Sequence, residues 1–374
     1  MRFKINYTAN ARKYAFRHPL ISAILIQINF WILAFLMLSF ILHFASLGFS
    51  VIYDVKVPSS IKPIVLISLF MGFFYGLILG FSDFFFYRKW FKGKSTGILI
   101  LLKSIFYFLV MVLMFIFLKE IIWQRFLLPK YFADSNFHLP EKAWNFYFKM
   151  TLIYVFFMSI LISFIIQVNT KFGPGVLIPL LLGRYANPKE EERIFIFLDL
   201  KSSTTHAEKL GHVKYSKLIR DCFLKINYLS VQYGAEIYQY VGDEVVLSWP
   251  TKGLDDACVC IDFYFACKDD FLKREKYYLK KHGVLPEFKA GLHYGLVTAV
   301  EVGDVKREIA FHGDTLNVTA RIQEKCNSLN SDLIISQDLK DFITNTQRYK
   351  FESQGEVPLK GRKKELCIYT VTKA

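Results

Sequence analysis

Apolar positions follow two different patterns along this chain. Up to about residue 170 they run almost without interruption; beyond residue 190 they come as short runs and alternations. Spanning a bilayer takes about 20 mostly apolar residues in a helix. Four stretches qualify: Ile21–Leu47, Pro63–Tyr87, Gly97–Ile122 and Phe146–Val168. The first is too long for a signal-peptide core and lacks a convincing cleavage site, so it counts as a helix. Gly173-Pro174-Gly175 ends the fourth, and Pro188 closes the segment Lys171–Arg193, whose Val176–Leu182 is apolar enough to lie on a membrane face or a partner helix. The expected organisation is an all-α four-helix transmembrane domain (1–170), a connector (171–192) and a second domain (193–374).

The second domain reads as α/β. Arg193–Leu200 (RIFIFLDL) is a short apolar run that predicts a buried strand. Tyr215–Tyr233 predicts a helix. Ala235–Tyr240 and Glu244–Trp249 predict a hairpin through Val241-Gly242-Asp243. Asp255–Lys281 then predicts a helix, Phe288–Tyr294 and Leu296–Val302 a strand pair around Gly295, and Gly303-Asp304 a turn. Gly313–Ile322 looks like a capped helix start. Leu333–Ser336, a short helix and Leu366–Val371 complete the pattern.

Composition sharpens this division. Hydrophobic residues make up 53% and charged residues 21% of 374, which excludes a disordered chain, a collagen and a small disulfide scaffold. The net charge of +15 belongs to residues 1–189, which hold 20 basic and 5 acidic side chains; residues 190–374 hold 27 of each. A basic excess confined to apolar sequence points to membrane topology rather than nucleic acid. The N-terminal tail and the second loop are purely basic, so both, with the second domain, are expected on the cytoplasmic side. Asp83 is the one acid inside a span; lying near Arg88, it is expected to be a paired interface residue, and Lys103 and Lys149 are read as residues near helix ends. All six cysteines fall in the second half without a C-x-x-C pair, which suits buried reduced thiols better than zinc.

Candidate chemistry starts with Asp199 at the end of the first strand and Asp243 at the hairpin tip. An acid in an apolar strand is costly unless something binds it. Two such acids on strands that pair would converge on divalent cations, although turn chemistry alone accounts for Asp243 taken singly. Ser202, Ser203 and Thr204 suit a helix cap whose free N–H groups could hold phosphate. Asn317 and Arg321 stand four apart on one helical face, and Arg321 either contacts phosphate or pairs with a local Glu. The basic run Leu359–Lys364 reads as a surface loop.

In order, FLDLKSST, YQYVGDEVVLSW, GLHYG, FHGDTLNVTARI and LKG resemble the class III nucleotide cyclase catalytic domain over about Arg193–Val371. The membrane half with its FGPG…LLGRY connector looks like that of bacterial membrane-anchored cyclases. The resemblance implies a ferredoxin-like βαββαβ core and active sites between two catalytic domains, hence a homodimer. It implies two Mg²⁺ or Mn²⁺ ions held by Asp199, Asp243 and the Leu200 carbonyl. Asn317 and Arg321 from the other chain would bind the ribose side and stabilise the transition state, and Lys360 would contact the triphosphate. The implied reaction turns ATP into cyclic AMP and pyrophosphate at the inner membrane. Two base-reading positions depart from the family pattern. Gln239 stands where a Lys is common, and Ala310 where Asp or Thr is. Guanylate cyclase or relaxed specificity therefore stays open, as does a catalytically silent receptor; a diguanylate cyclase is disfavoured by the Asn317/Arg321 motif.

Overall fold

Long apolar runs satisfy their backbone polar groups without water by coiling into helices. The first half forms α1 (Pro19–Tyr53), α2 (Lys62–Lys89), α3 (Thr96–Phe117) and α4 (Glu141–Phe172). This computed structural model describes residues 18–54, 61–89, 96–117, 119–120, 141–172, 183–254, 256–305, 307–345, 347–358 and 365–374. They divide between two units, Arg17–Val176 and Leu177–Ala374. All four helices are long and apolar enough to cross a membrane. Large apolar side chains stay on their outer surface, Leu33 at 67% and Leu113 at 69% exposure among them.

A glycine stripe that the apolar pattern conceals sets the α1–α2 contact. Gly72, Gly76 and Gly80 recur every four residues along α2, and a Cβ on any of them would come within 2.5 Å of an α1 Cα, at Ile32, Ile28 or Ile24. Small residues at this spacing let helix backbones touch. Asp83 is paired, as expected, and its partners come from other helices: Lys103 of α3 (Nζ–Oδ1 3.0 Å) and Gln27 of α1, which donates to it at 2.7 Å. Gln27 also donates to the Tyr107 hydroxyl at 3.0 Å and accepts from the Trp31 indole at 3.0 Å, so one polar network joins three helices.

The second unit contains β1 (Lys189–Leu200), α5 (Ser203–Leu210), α6 (His212–Gln232), β2 (Glu236–Val241), β3 (Glu244–Pro250), α7 (Val259–Lys273) and α8 (Glu275–His282). It continues with β4 (Phe288–Val302), β5 (Glu308–His312), α9 (Asp314–Ser328), β6 (Leu333–Ser336), α10 (Gln337–Phe342), β7 (Tyr349–Val357) and β8 (Leu366–Lys373). The strands order as β2-β3-β1-β4-β6-β8-β7, with β5 paired to β4. The first four strands with their helices form the βαββαβ core. On β1 the side chains alternate. Ile194, Ile196, Leu198 and Leu200 enter the main core with Leu218, Cys222, Ile226, Ile261 and Phe263. Phe195 and Phe197 turn to the opposite face, packing with Val246, Val297, Tyr238, Phe311 and Leu316. Asp199 continues that second row.

Several elements differ from expectation. β4 runs unbroken through Gly295, which is no turn: a Cβ there would meet Thr315 Oγ1 at 2.6 Å. The helix expected over Asp255–Lys281 breaks at Arg274. β5 and β7 were not anticipated; β5 is short, and β7 is a polar edge strand with a register shift between Ser353 and Glu356. Cys258 precedes α7, with Cys260 and Cys267 on it; all three are buried free thiols, and burial pushes Cys258 up to about 11. Residues 173–182 of the connector, with Gly173-Pro174-Gly175 and all of Val176–Leu182, lie outside the described residues.

Gly291 brings β4 against α9: a Cβ there would stand 2.4 Å from the Gln323 backbone nitrogen. The neighbour is backbone and cannot swing aside. Gly291→Ala is therefore expected to destabilise the second unit by about 1–3 kcal/mol, read as a lowered unfolding midpoint; an unchanged midpoint would show that α9 can shift freely.

Candidate active site

Asp199 is the penultimate residue of β1, with Glu244 of β3 opposite on one side and Lys289 of β4 on the other. Lys289 Nζ lies 3.3 Å from Asp199 Oδ2, and Gln323 Nε2 of α9 donates to the same oxygen at 3.1 Å. Asp243 sits at the tip of the β2–β3 hairpin. The turn is tight because Gly242 takes φ 63°, open to glycine at no steric cost. Asp199's carboxyl is raised first by burial and then by the Asp243 carboxylate beside it, with Lys289 opposing. Glu244 is pushed up to about 7, by burial and then by Asp199 and Asp243. A cluster in which Asp199 and Glu244 are both raised by burial and by neighbouring carboxylates is a site built for added positive charge.

That donor set fits a hard divalent cation. Mg²⁺ takes oxygen ligands and usually binds one or two carboxylates plus substrate phosphates. Among the described residues no group of three or more His, Cys, Asp or Glu is arranged to hold a metal, so bound substrate and water would complete the shell. Leu200 buries its side chain in the core, leaving only its backbone carbonyl as a possible ligand. From Asp243 an open groove of about 550 Å³ runs along α6, lined by Tyr215, Arg220 and Phe223, with Tyr240 across it.

Ser202 does not cap α5 with its side chain; it takes φ 52°, and no side-chain cap bond forms. In that left-handed conformation the residue ends β1 sharply instead. Ser203 starts α5 and is half-buried; Thr204 is exposed. Gln239 is exposed on β2, and Ala310 is half-buried on β5. These strands meet where the Phe311 N–H donates to the Tyr238 hydroxyl at 3.3 Å, so both base-reading candidates adjoin one contact. Lys360 lies outside the described residues.

On α9, Asn317 is exposed and Arg321 partly so. Arg321 donates to both Glu324 oxygens, at 2.6 and 2.8 Å, the local pairing that its sequence position left open. Such a surface pair carries little energetic weight and leaves the guanidinium available. Gln323, by contrast, is buried. Two residues apart on a helix lie about 200° apart, so Arg321 points away from the side of α9 that reaches Asp199. Lys289 and Gln323 were missed by sequence reasoning. The available signals were weak: Lys289 opens the GLHYG strand, and Gln323 shares the apolar stripe of Thr319, Ile322 and Cys326.

Comparison with known proteins places the chain in a family. Residues 185–373 match the Adenylate and Guanylate cyclase catalytic domain, which is half of the chain; the protein belongs to that family. Adenylate cyclase 2 of Rhizobium meliloti is 34% identical over 221 residues, 59% of this chain and 61% of that protein. That stretch is longer than the chain from residue 185 to its end, so the similarity reaches back into the fourth apolar helix. The chain thus spans about three-fifths of that relative's length. A receptor-type guanylate cyclase of Caenorhabditis elegans is 23% identical over 50% of this chain and 15% of its own. Among solved structures, the adenylyl cyclase CyaB from P. aeruginosa aligns with a TM-score of 0.45 at 18% identity, covering 50% of this chain and 97% of that one.

Proposed function

We propose that this protein is a membrane-bound adenylate cyclase that converts ATP to 3′,5′-cyclic AMP and pyrophosphate at sites shared by two copies of the chain. The observation that carries the reading is the two-sidedness of α9. Its buried side reaches the chain's own Asp199 through Gln323, and its exposed side offers Asn317 and Arg321 outward, where a partner's substrate can meet them. A two-fold pair would place each α9 against the other chain's carboxylates and so build two sites.

Asp199, Asp243 and the Leu200 carbonyl would hold two Mg²⁺ or Mn²⁺ ions. When bound, these supply a lowered pKa at the attacking hydroxyl and countercharge for the triphosphate. The 3′-oxygen forms a bond to the α-phosphorus, the bond to the bridging oxygen of the leaving group breaks, and the hydroxyl proton passes to solvent. Arg321 presents a planar fork of donors to the charge that builds on the α-phosphoryl oxygens, and Asn317 orients the ribose. Gln239 both donates and accepts, so it can read the base edge, whereas Ala310 offers no side-chain hydrogen bond. Lys360 would contact the triphosphate. The four apolar helices anchor the chain in the cell membrane, with the N-terminus and catalytic half in the cytoplasm, as the basic tail and second loop require.

Gln239 and Ala310 also keep a guanylate or relaxed-specificity reading in play. Purified full-length protein with Mn²⁺ is expected to form cyclic AMP from ATP, and excess GTP to slow this only weakly. Preferential cyclic GMP formation would replace the substrate assignment; nucleotide binding by a verified dimer without turnover would favour the silent receptor.

A further inference from the structure

We infer that Gln323 is a positioning residue for the metal-binding carboxylate, tying it to the helix that serves the opposite site; this rests on the cyclase reading above. Gln323 is 5% exposed, and its amide donates to Asp199 Oδ2 at 3.1 Å. The other donor on that oxygen, Lys289, also donates to Asn327 Oδ1 at 3.1 Å. Gln323 and Asn327 both belong to α9, so both restraints on Oδ2 are tied to one helix. Its backbone cannot drift from the sheet, because Gly291 and Gly295 let it lie directly on β4. With Oδ2 engaged twice, Oδ1 is the oxygen left to a cation.

The amide is chemically suited to this role. It orients the carboxylate without supplying a charge, so the negative charge that attracts cations is kept, whereas a second cation at this position would compete with the metal. Groups that orient a ligating side chain from behind typically change metal affinity 10- to 100-fold when removed. The same helix carries Asn317 and Arg321 on its other side.

The test is Mn²⁺ binding to the full-length protein with a non-cyclising ATP analogue, followed by electron paramagnetic resonance. Gln323→Met keeps the volume and removes the donor; Gln323→Ala is the second variant. Each is expected to weaken Mn²⁺ binding by about tenfold, to raise the Mn²⁺ concentration for half-maximal turnover in parallel, and to lower kcat at saturating Mn²⁺ by less. Mn²⁺ affinity unchanged in both variants overturns the inference, as does loss of the native melt in both, which would make the residue structural. Asp199→Ala separates this from the underlying reading: if it retains Mn²⁺ binding and turnover, the cyclase site itself is misassigned.

Discussion

Arg321→Ala is expected to lower kcat by ~10²–10³-fold, the usual loss when one preorganised donor to developing charge is removed, while KM for the metal–nucleotide complex changes little. The expectation follows from where the side chain stands. Arg321 is on the exposed side of α9, paired with Glu324 one turn away. It contributes nothing to the core, so its removal leaves the fold intact. Its planar fork suits a phosphoryl group whose charge grows as pyrophosphate departs. Arg321→Lys should recover only a small part of the rate, because a point charge does not reproduce a bidentate geometry. Single-turnover kinetics on full-length protein check this; a variant within a few fold of wild type would make Arg321 no more than a surface ion pair.

The second large effect belongs to Asp199. Asp199→Ala and Asp199→Asn are both expected to reduce kcat by on the order of 10³ or more, since metal assistance supplies several kcal/mol of barrier lowering. Their effect on stability should run the other way. Burial and the adjacent Asp243 disfavour the ionised Asp199 carboxyl in the metal-free protein. Its folded-state pKa lies above the unfolded one, so ionisation weighs against the fold as pH rises through that range. Asp199→Asn removes that penalty while keeping an acceptor for Gln323. With a chelator present at neutral pH, it is expected to melt at or above the wild-type temperature. A lower melting temperature would assign Asp199 to folding instead of chemistry.

Much of this arrangement is legible in the residues before any coordinates. RIFIFLDL declares both its strand and its anomalous acid, and Val241-Gly242-Asp243 declares its hairpin. Those signals are local: a period, a turn residue, a charge out of place. What escapes is set by contacts between distant segments. Gly295 has the composition of a turn, yet it lies in mid-strand to admit Thr315. Asp83 has Arg88 nearby in sequence, but packing supplies Lys103 and Gln27. Gly72, Gly76 and Gly80 disappear into an apolar average, although their spacing alone marks a helix contact. Lys289 and Gln323 become partners of Asp199 only after β4 and α9 have been laid beside β1. The short and edge strands β5 and β7 lack a strong alternation because each has much of its surface in solvent.

The central claim is that one copy supplies the carboxylates and another the arginine. Asp199→Ala and Arg321→Ala chains should each be inactive as homodimers. Co-expressed with distinct tags and purified through both, they should form mixed dimers in which one site keeps Asp199, Asp243, Asn317 and Arg321 together and the other loses both functions. Purification through both tags leaves only mixed dimers, each with one working site in two, so cyclic nucleotide formation should return to about half the wild-type rate. Verified mixed dimers that stay as inactive as either parent would contradict the account.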